Sequence, residues 1–217
     1  MAEIKFCGLT RPDDARYAGA LGARYLGVIF AGGPRVLDPG RAAEVLDGSE
    51  GPASRVGVFG RSAPREIGRA ARAARLDIVQ LHDDPTAADV VAVRGEADVK
   101  VWAVVRVTDA LPPEADALFE TADALLIDAR VEGGASGGRG VAFDWAALRD
   151  DLERRRAGRK LVLAGGLRPD NVSEALATLW PDVVDVSSGV ESAPGIKDHA
   201  RMRAFAAAVA GAAKEKG

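Results

Sequence analysis

"KLVLAGGLRPDNV" occupies residues 160–172. After Lys160 come four apolar residues with β-branched and leucine side chains, then two glycines, then a proline that opens a stretch of helical character. A short continuous apolar run stopped by glycine reads as a strand buried on both faces. Proline suits the first turn of a helix, where its missing N–H costs nothing and its φ is already set. The segment is therefore one strand-turn-helix unit, and the rest of the chain can be tested for the same grammar.

Candidate strands fall at residues 3–7, 24–30, 55–59, 78–82, 100–106, 124–128, 160–164 and 183–187. Between them lie candidate helices at 12–20, 39–46, 64–74, 85–93, 113–121, 144–156, 169–179 and 197–213. Pro12, Pro39, Pro64, Pro85, Pro113 and Pro169 are each expected to open one. Eight βα units predict an α/β protein with a parallel sheet. An open doubly wound sheet and a closed (βα)8 TIM barrel compete, and eight units in 217 residues fit the barrel at its compact end. No linker divides the chain, so residues 1–217 are expected to form a single catalytic barrel domain.

The formal net charge is −3, which argues against a nucleic-acid partner. The basic stretches at Arg69, Arg72, Arg75 and residues 154–160 read as solvated helix faces. The N-terminus carries no signal-peptide pattern, and charges interrupt every long apolar stretch, so no membrane association is expected. A single cysteine cannot form an intrachain disulfide, which fits a cytoplasmic location. The only histidines are His82 and His199. They do not supply a multi-histidine metal site, and no metal is expected.

In a barrel the active face is built from strand C-termini and the loops that follow. The candidates there are Cys7, residues 30–35, His82, Arg106, Asp128, Gly165, Gly166 and residues 187–189. Cys7 ends strand 1, and Lys5 should point the same way two residues deeper. A cation so placed is expected to favour the thiolate, a base or nucleophile. Asp128 ends strand 6 after four apolar residues, and strands 1 and 6 face each other across the mouth, as an acid/base pair requires. The glycine-rich segment at 129–145 is long enough to form a lid. Glycine turns after strands 7 and 8, "LAGGLRPDNV" and "DVSSGVESAPGIKD", let backbone amides approach an anion and point to a phosphate site at loops 7 and 8. Arg35, in "FAGGPRVL", has the planar fork that matches a carboxylate. Together these groups suit an aromatic or small acid carrying a sugar phosphate.

The stretches "KFCGLTRPDDA", "GVIFAGGPR", "VGVF", "VQLH", "LLIDA…GGRGVAFDW", "LAGGLRPDNV" and "DVSSGVESAPGIKD", in that order from residue 5 to 198, resemble the phosphoribosylanthranilate isomerases of tryptophan biosynthesis. The resemblance implies an Amadori rearrangement of N-(5-phosphoribosyl)anthranilate to 1-(2-carboxyphenylamino)-1-deoxyribulose 5-phosphate, with no cofactor and no metal. It implies that Asp128 protonates the ribose ring oxygen and that Cys7 removes the C2′ proton. Arg35 would hold the anthranilate carboxylate. Gly165, Gly166, Ser188 and Gly189 would hold the phosphate through backbone amides. The partner it implies is a small phosphorylated sugar–anthranilate, and the chain is expected to be a monomer or a homodimer.

Two departures stand out. Asp83 and Asp84 follow His82 where the family usually has glycine, which adds negative charge near an anionic substrate. Position 33 is glycine where serine is common, so no side-chain role falls there. His82 stands among the substrate-binding candidates, with a purely structural rim role left open. Three rival readings remain. A histidine-pathway or dual-substrate aldose–ketose isomerase would carry a carboxylate at the end of strand 1. Another sugar-phosphate barrel, such as an epimerase, would want metal ligands. A non-catalytic sugar-phosphate sensor would not need Cys7 and Asp128.

Overall fold

The computed structural model describes residues 1–107, 110–128, 145–156 and 158–214. The strands are β1 (Glu3–Phe6), β2 (Tyr25–Ile29), β3 (Ser54–Phe59), β4 (Ile78–Leu81), β5 (Lys100–Arg106), β6 (Ala124–Asp128), β7 (Lys160–Ala164) and β8 (Val183–Val186). Each pairs in parallel with its sequence neighbour, and β8 pairs with β1 to close the ring. The fold is therefore the barrel and not the open sheet. Helices α1 (Pro12–Ala20), α2 (Pro39–Leu46), α3 (Pro64–Ala73), α4 (Ala87–Glu96), α5 (Ala115–Thr121), α6 (Trp145–Arg155), α7 (Val172–Leu179) and α8 (His199–Lys214) follow the strands.

Strand alternation sorts the apolar residues into two shells. Tyr25, Val56, Ile78, Trp102, Leu126 and Val162 belong to a cluster that fills the barrel interior. Their sequence neighbours, such as Leu26, Val79, Ala103, Leu125, Ile127, Leu161 and Val184, pack outward with the helices. The floor of the barrel is polar. Glu3 accepts from Lys160 at 2.8 Å and from Tyr25 Oη at 2.9 Å, and the Tyr25 ring meets Trp102 edge-on with centroids 4.8 Å apart.

Three helices start later than proline alone predicts. Pro85 lies in the turn before α4, and Thr86 is the N-cap. Its hydroxyl accepts from Asp89 N at 3.3 Å while Asp89 accepts from Thr86 N at 2.8 Å. This reciprocal cap satisfies two orphan donors, which proline at N1 cannot do. Pro113 lies in a turn closed by Ala115 N to Pro112 O, 3.0 Å. Pro169 lies in a loop that Asn171 pins: its Oδ1 accepts from Arg168 N at 2.7 Å and its Nδ2 donates to Gly166 O at 3.0 Å. The last helix begins at His199, not at 197. Residues before it form an antiparallel hairpin, β9 (Glu191–Ala193) and β10 (Ile196–Lys197), turned at Gly195 with φ +80°. The lid expected at 129–145 lies almost wholly outside the described residues.

Candidate active site

Cys7 stands one residue beyond β1, held there by its N–H donating to Val186 O at 2.9 Å. The thiol is buried. A Cβ built on Gly27 in β2 would lie 3.0 Å from Cys7 Sγ and 3.2 Å from Lys5 Cε. The thiol and the lysine stem therefore share the inner face, as strand alternation predicts, and Gly27 leaves the room they occupy.

Lys5 is completely buried. Its Nζ donates to Asp185 Oδ2 on β8 at 2.6 Å and to Gln80 Oε1 on β4 at 3.0 Å. Burial disfavours the ammonium, but Asp185 and Cys7 outweigh it, and the group is held above the ordinary lysine value. Its effect on the thiol is smaller than expected. Burial pushes the Cys7 thiol up, the pull of Lys5 does not offset it, and the net direction is upward. The expectation that Lys5 favours the thiolate is thus corrected: desolvation of the buried sulfur, with the nearby Asp185 carboxylate acting in the same direction, exceeds the attraction of the Lys5 and Lys197 ammoniums.

Asp128 ends β6 and is only 4% exposed. Alternation places it two residues above interior Leu126, so its carboxyl points into the mouth. His82 follows β4 and is set by its N–H to Phe59 O at 2.9 Å; its Nε2 lies 3.7 Å from Asp128 Oδ2. Arg106 ends β5 in register with Asp128. It donates to Asp84 at 2.9 Å and to Asp83 at 3.2 Å. Arg106 thus pairs with both aspartates that follow His82 and offsets one of their two negative charges. The Asp83 carboxylate lies over Gly60, where a Cβ would meet its Oδ2 at 2.8 Å. Asp84 takes φ +47°, the left-handed region glycine would occupy more freely.

Arg35 does not lie loose in its loop. It donates side-on to Glu191, Nε to Oε1 at 2.8 Å and Nη2 to Oε2 at 2.6 Å. Its stem crosses the tip of β1, where Gly8 (φ +69°) leaves room: a Cβ there would lie 2.7 Å from Arg35 Cδ. Lys197 Nζ donates to Glu191 Oε1 at 2.9 Å, to Cys7 O at 2.6 Å and to Ser187 O at 3.1 Å. Burial opposes charge on Glu191, but Arg35 and Lys197 hold its carboxyl below the usual range. Burial lowers the Lys197 ammonium.

Gly165 (φ +95°) and Gly166 (φ +62°) form the turn after β7. Ser188 and Gly189 open a single 3-10 turn after β8. The two loops touch: a Cβ on Gly189 would come within van der Waals radii of Leu167 O. Only glycine at 189 permits that approach, so loops 7 and 8 form one backbone surface. Among the described residues, no group of three or more His, Cys, Asp or Glu side chains is arranged to hold a metal ion. Among the same residues, no helix is long and apolar enough to cross a membrane.

Sequence reading missed Asp185, Gln80, Glu191 and Lys197. Asp185 and Gln80 were visible as polar residues at inward positions of "VVDV" and "IVQL", where a buried Lys5 would demand partners. Glu191 and Lys197 sat inside a stretch read for its phosphate-binding turn at Ser188 and Gly189, with Lys197 taken only as the start of the last helix.

A family model for N-(5'-phosphoribosyl)anthranilate isomerase matches residues 4–208. The N-(5'-phosphoribosyl)anthranilate isomerase of Paramagnetospirillum magneticum is 41% identical over 213 residues, covering 96% of this chain and 97% of that one. The crystal structure of phosphoribosyl anthranilate isomerase from Thermotoga maritima superposes with a TM-score of 0.83 at 31% identity, covering 97% of this chain and 100% of that one. A crystal structure of a phosphoribosyl anthranilate isomerase in complex with reduced 1-(o-carboxyphenylamino)-1-deoxyribulose 5-phosphate gives a TM-score of 0.81 at 30% identity, with 97% of this chain and 100% of that one covered.

Proposed function

The chain belongs to the N-(5'-phosphoribosyl)anthranilate isomerase family, and from that premise we propose how its rim carries out the Amadori rearrangement of tryptophan biosynthesis. Residues 1–217 act as one catalytic barrel, as a monomer or a homodimer, in the cytoplasm and without a cofactor. The observation that carries the reading is the alternation that turns Cys7 and Asp128 inward from β1 and β6, both buried at the mouth.

Asp128 donates a proton to the ribose ring oxygen. The C1′–O4′ bond breaks as the anthranilate nitrogen lone pair forms C1′=N. Cys7 then takes the C2′ proton, and the C–H pair forms C1′=C2′ while nitrogen recovers its lone pair. The enolamine tautomerises: the C2′ hydroxyl loses its proton, C1′ gains one, and the aminoketone results. Arg35 holds the anthranilate carboxylate. The amides of Gly165, Gly166, Ser188 and Gly189 hold the phosphate, and His82 contacts substrate beside Asp128. Because burial holds the thiol up, its deprotonation draws on the Lys5 ammonium beneath it and on the acidity that C2′ acquires in the protonated imine.

Loss of substrate fluorescence on turnover measures the reaction. Cys7→Ser and Asp128→Asn should each lower kcat by about 10²–10⁴-fold with little change in KM. Deuterium at C2′ should slow the serine variant markedly and the asparagine variant much less, because the latter is limited by ring opening. Near-full activity of Cys7→Ser would reduce the thiol to a core residue.

A further inference from the structure

Arg35 is the group proposed to clamp the substrate's carboxylate, yet it already holds a carboxylate. Resolving this depends on which edge of the guanidinium is engaged. A guanidinium has two bidentate edges: side-on through Nε and one terminal nitrogen, and end-on through both terminal nitrogens. Glu191 takes the side-on edge, at 2.8 and 2.6 Å. Among the described residues Arg35 Nη1 makes no hydrogen bond, so the end-on edge is left for a second carboxylate.

The charges agree with this. Glu191 lies between two cations, Arg35 at 2.6 Å and Lys197 at 2.9 Å. One anion between two cations leaves a single positive charge, which matches one ring carboxylate. Lys197 also grips Cys7 O and Ser187 O. The clamp is thereby tied to the backbone that carries the thiol and to the start of loop 8. Burial of Glu191 at 7% exposure keeps water from loosening the pair.

We propose that Glu191 is the positioning residue of the carboxylate clamp: it fixes Arg35 by its side-on edge and presents the end-on edge to the anthranilate ring carboxylate. This rests on Arg35 being the clamp. The ordering of a long, rotamer-rich side chain is then complete before substrate arrives, so binding does not bear that cost.

The test uses the purified enzyme and two inhibitors, the reduced carboxyphenylamino-deoxyribulose phosphate and its phenylamino counterpart lacking the carboxyl. Glu191→Gln keeps the shape but turns an amide N–H toward a cation. It should raise KM and the Ki of the carboxyl-bearing inhibitor about 10-fold, leave the Ki of the carboxyl-free inhibitor unchanged, and alter kcat less than KM. In an Arg35→Ala background the same substitution should add nothing. Equal weakening of both inhibitors, or full additivity with Arg35→Ala, would overturn the proposal. Should Glu191→Gln not fold, Glu191→Asp retains the charge but is one methylene too short to keep both contacts. It should show the same selective loss in smaller measure, and absence of any selective loss overturns the proposal equally. If Arg35→Ala spares binding of the carboxyl-bearing inhibitor, the clamp itself fails and the role of Glu191 with it. If Arg35→Ala weakens it and Glu191→Gln does not, only the role of Glu191 fails.

Discussion

Gly27 is a strand residue with no side chain to pack, a choice that weakens β-structure by roughly 0.5–1 kcal/mol relative to alanine. Its position explains it. An added Cβ would sit 3.0 Å from Cys7 Sγ, 3.1 Å from Cys7 Cα and 3.2 Å from Lys5 Cε. Two of these are side-chain atoms of the proposed base and of the cation beneath it, and both are enclosed. Gly27→Ala should cost about 1–3 kcal/mol, typical of overpacking, and should lower kcat more than KM by displacing the sulfur. Denaturant unfolding and steady-state kinetics measure the two effects. A variant with wild-type stability and wild-type kcat would show that the thiol has slack. That glycine stood in plain view in "YLGVIF", but its meaning depends on what faces it across the sheet, and no local pattern carries that.

At the scale of elements, α1 is tied to the far end of the chain. Asp14, buried on α1, accepts from Arg11 at 2.9 and 2.8 Å, from Lys197 N on β10 at 3.2 Å, and pairs with His199 Nε2 on α8 at 2.9 Å. The His199 ring also stacks on Tyr17, centroids 4.1 Å apart. Burial alone would raise the Asp14 pKa, but its hydrogen bonds overrule burial and hold it below the ordinary 3.8. The sign follows. A carboxylate with a depressed folded-state pKa adds stability that is present above its unfolded value and lost as pH falls through its folded value. Asp14→Asn should cost about 2 kcal/mol near neutrality, the scale of hydrogen bonds to a charged group. The gap from wild type should shrink as pH drops below about 4. Equal gaps at pH 7 and pH 3 in urea titrations would mean that shape and not charge joins the elements. The helix starts teach a related lesson. Proline marked the onset of α1, α2 and α3, where nothing competes. It did not for α4, α5 and α7; at α4 and α7 the side chains of Thr86 and Asn171 bond the backbone one or two residues after the proline.

For the whole molecule, closure converts eight separate strand tips into one rim. Loops 7 and 8 meet on that rim because β8 pairs directly beside β7, and Gly189 lets them touch. Inorganic phosphate should therefore stabilise the folded protein by mass action, about 2.7 kcal/mol at a hundred times its Kd, and should compete with substrate. Gly189→Ala would place a Cβ against Leu167 O, so thermal melting of that variant should lose most of its phosphate dependence. Melting of the wild type that is indifferent to high phosphate would remove the anion site from loops 7 and 8.

What the sequence by itself determined is what repeats locally. Apolar runs of strand length, the glycines and prolines that end them, and the parity of two along a strand sufficed for eight βα units and for Cys7, His82, Arg106 and Asp128 at their ends. Unit count and length also favoured closure over an open sheet; the tertiary structure alone decided that Lys5 meets Asp185 across 180 residues of chain and that Arg35 meets Glu191 across 156. It also decided the direction of the thiol's shift. Pairing between distant residues leaves no periodic trace in either segment, and a pKa is a balance between desolvation and neighbouring charge. Both terms of that balance exist only once the barrel has enclosed the sulfur.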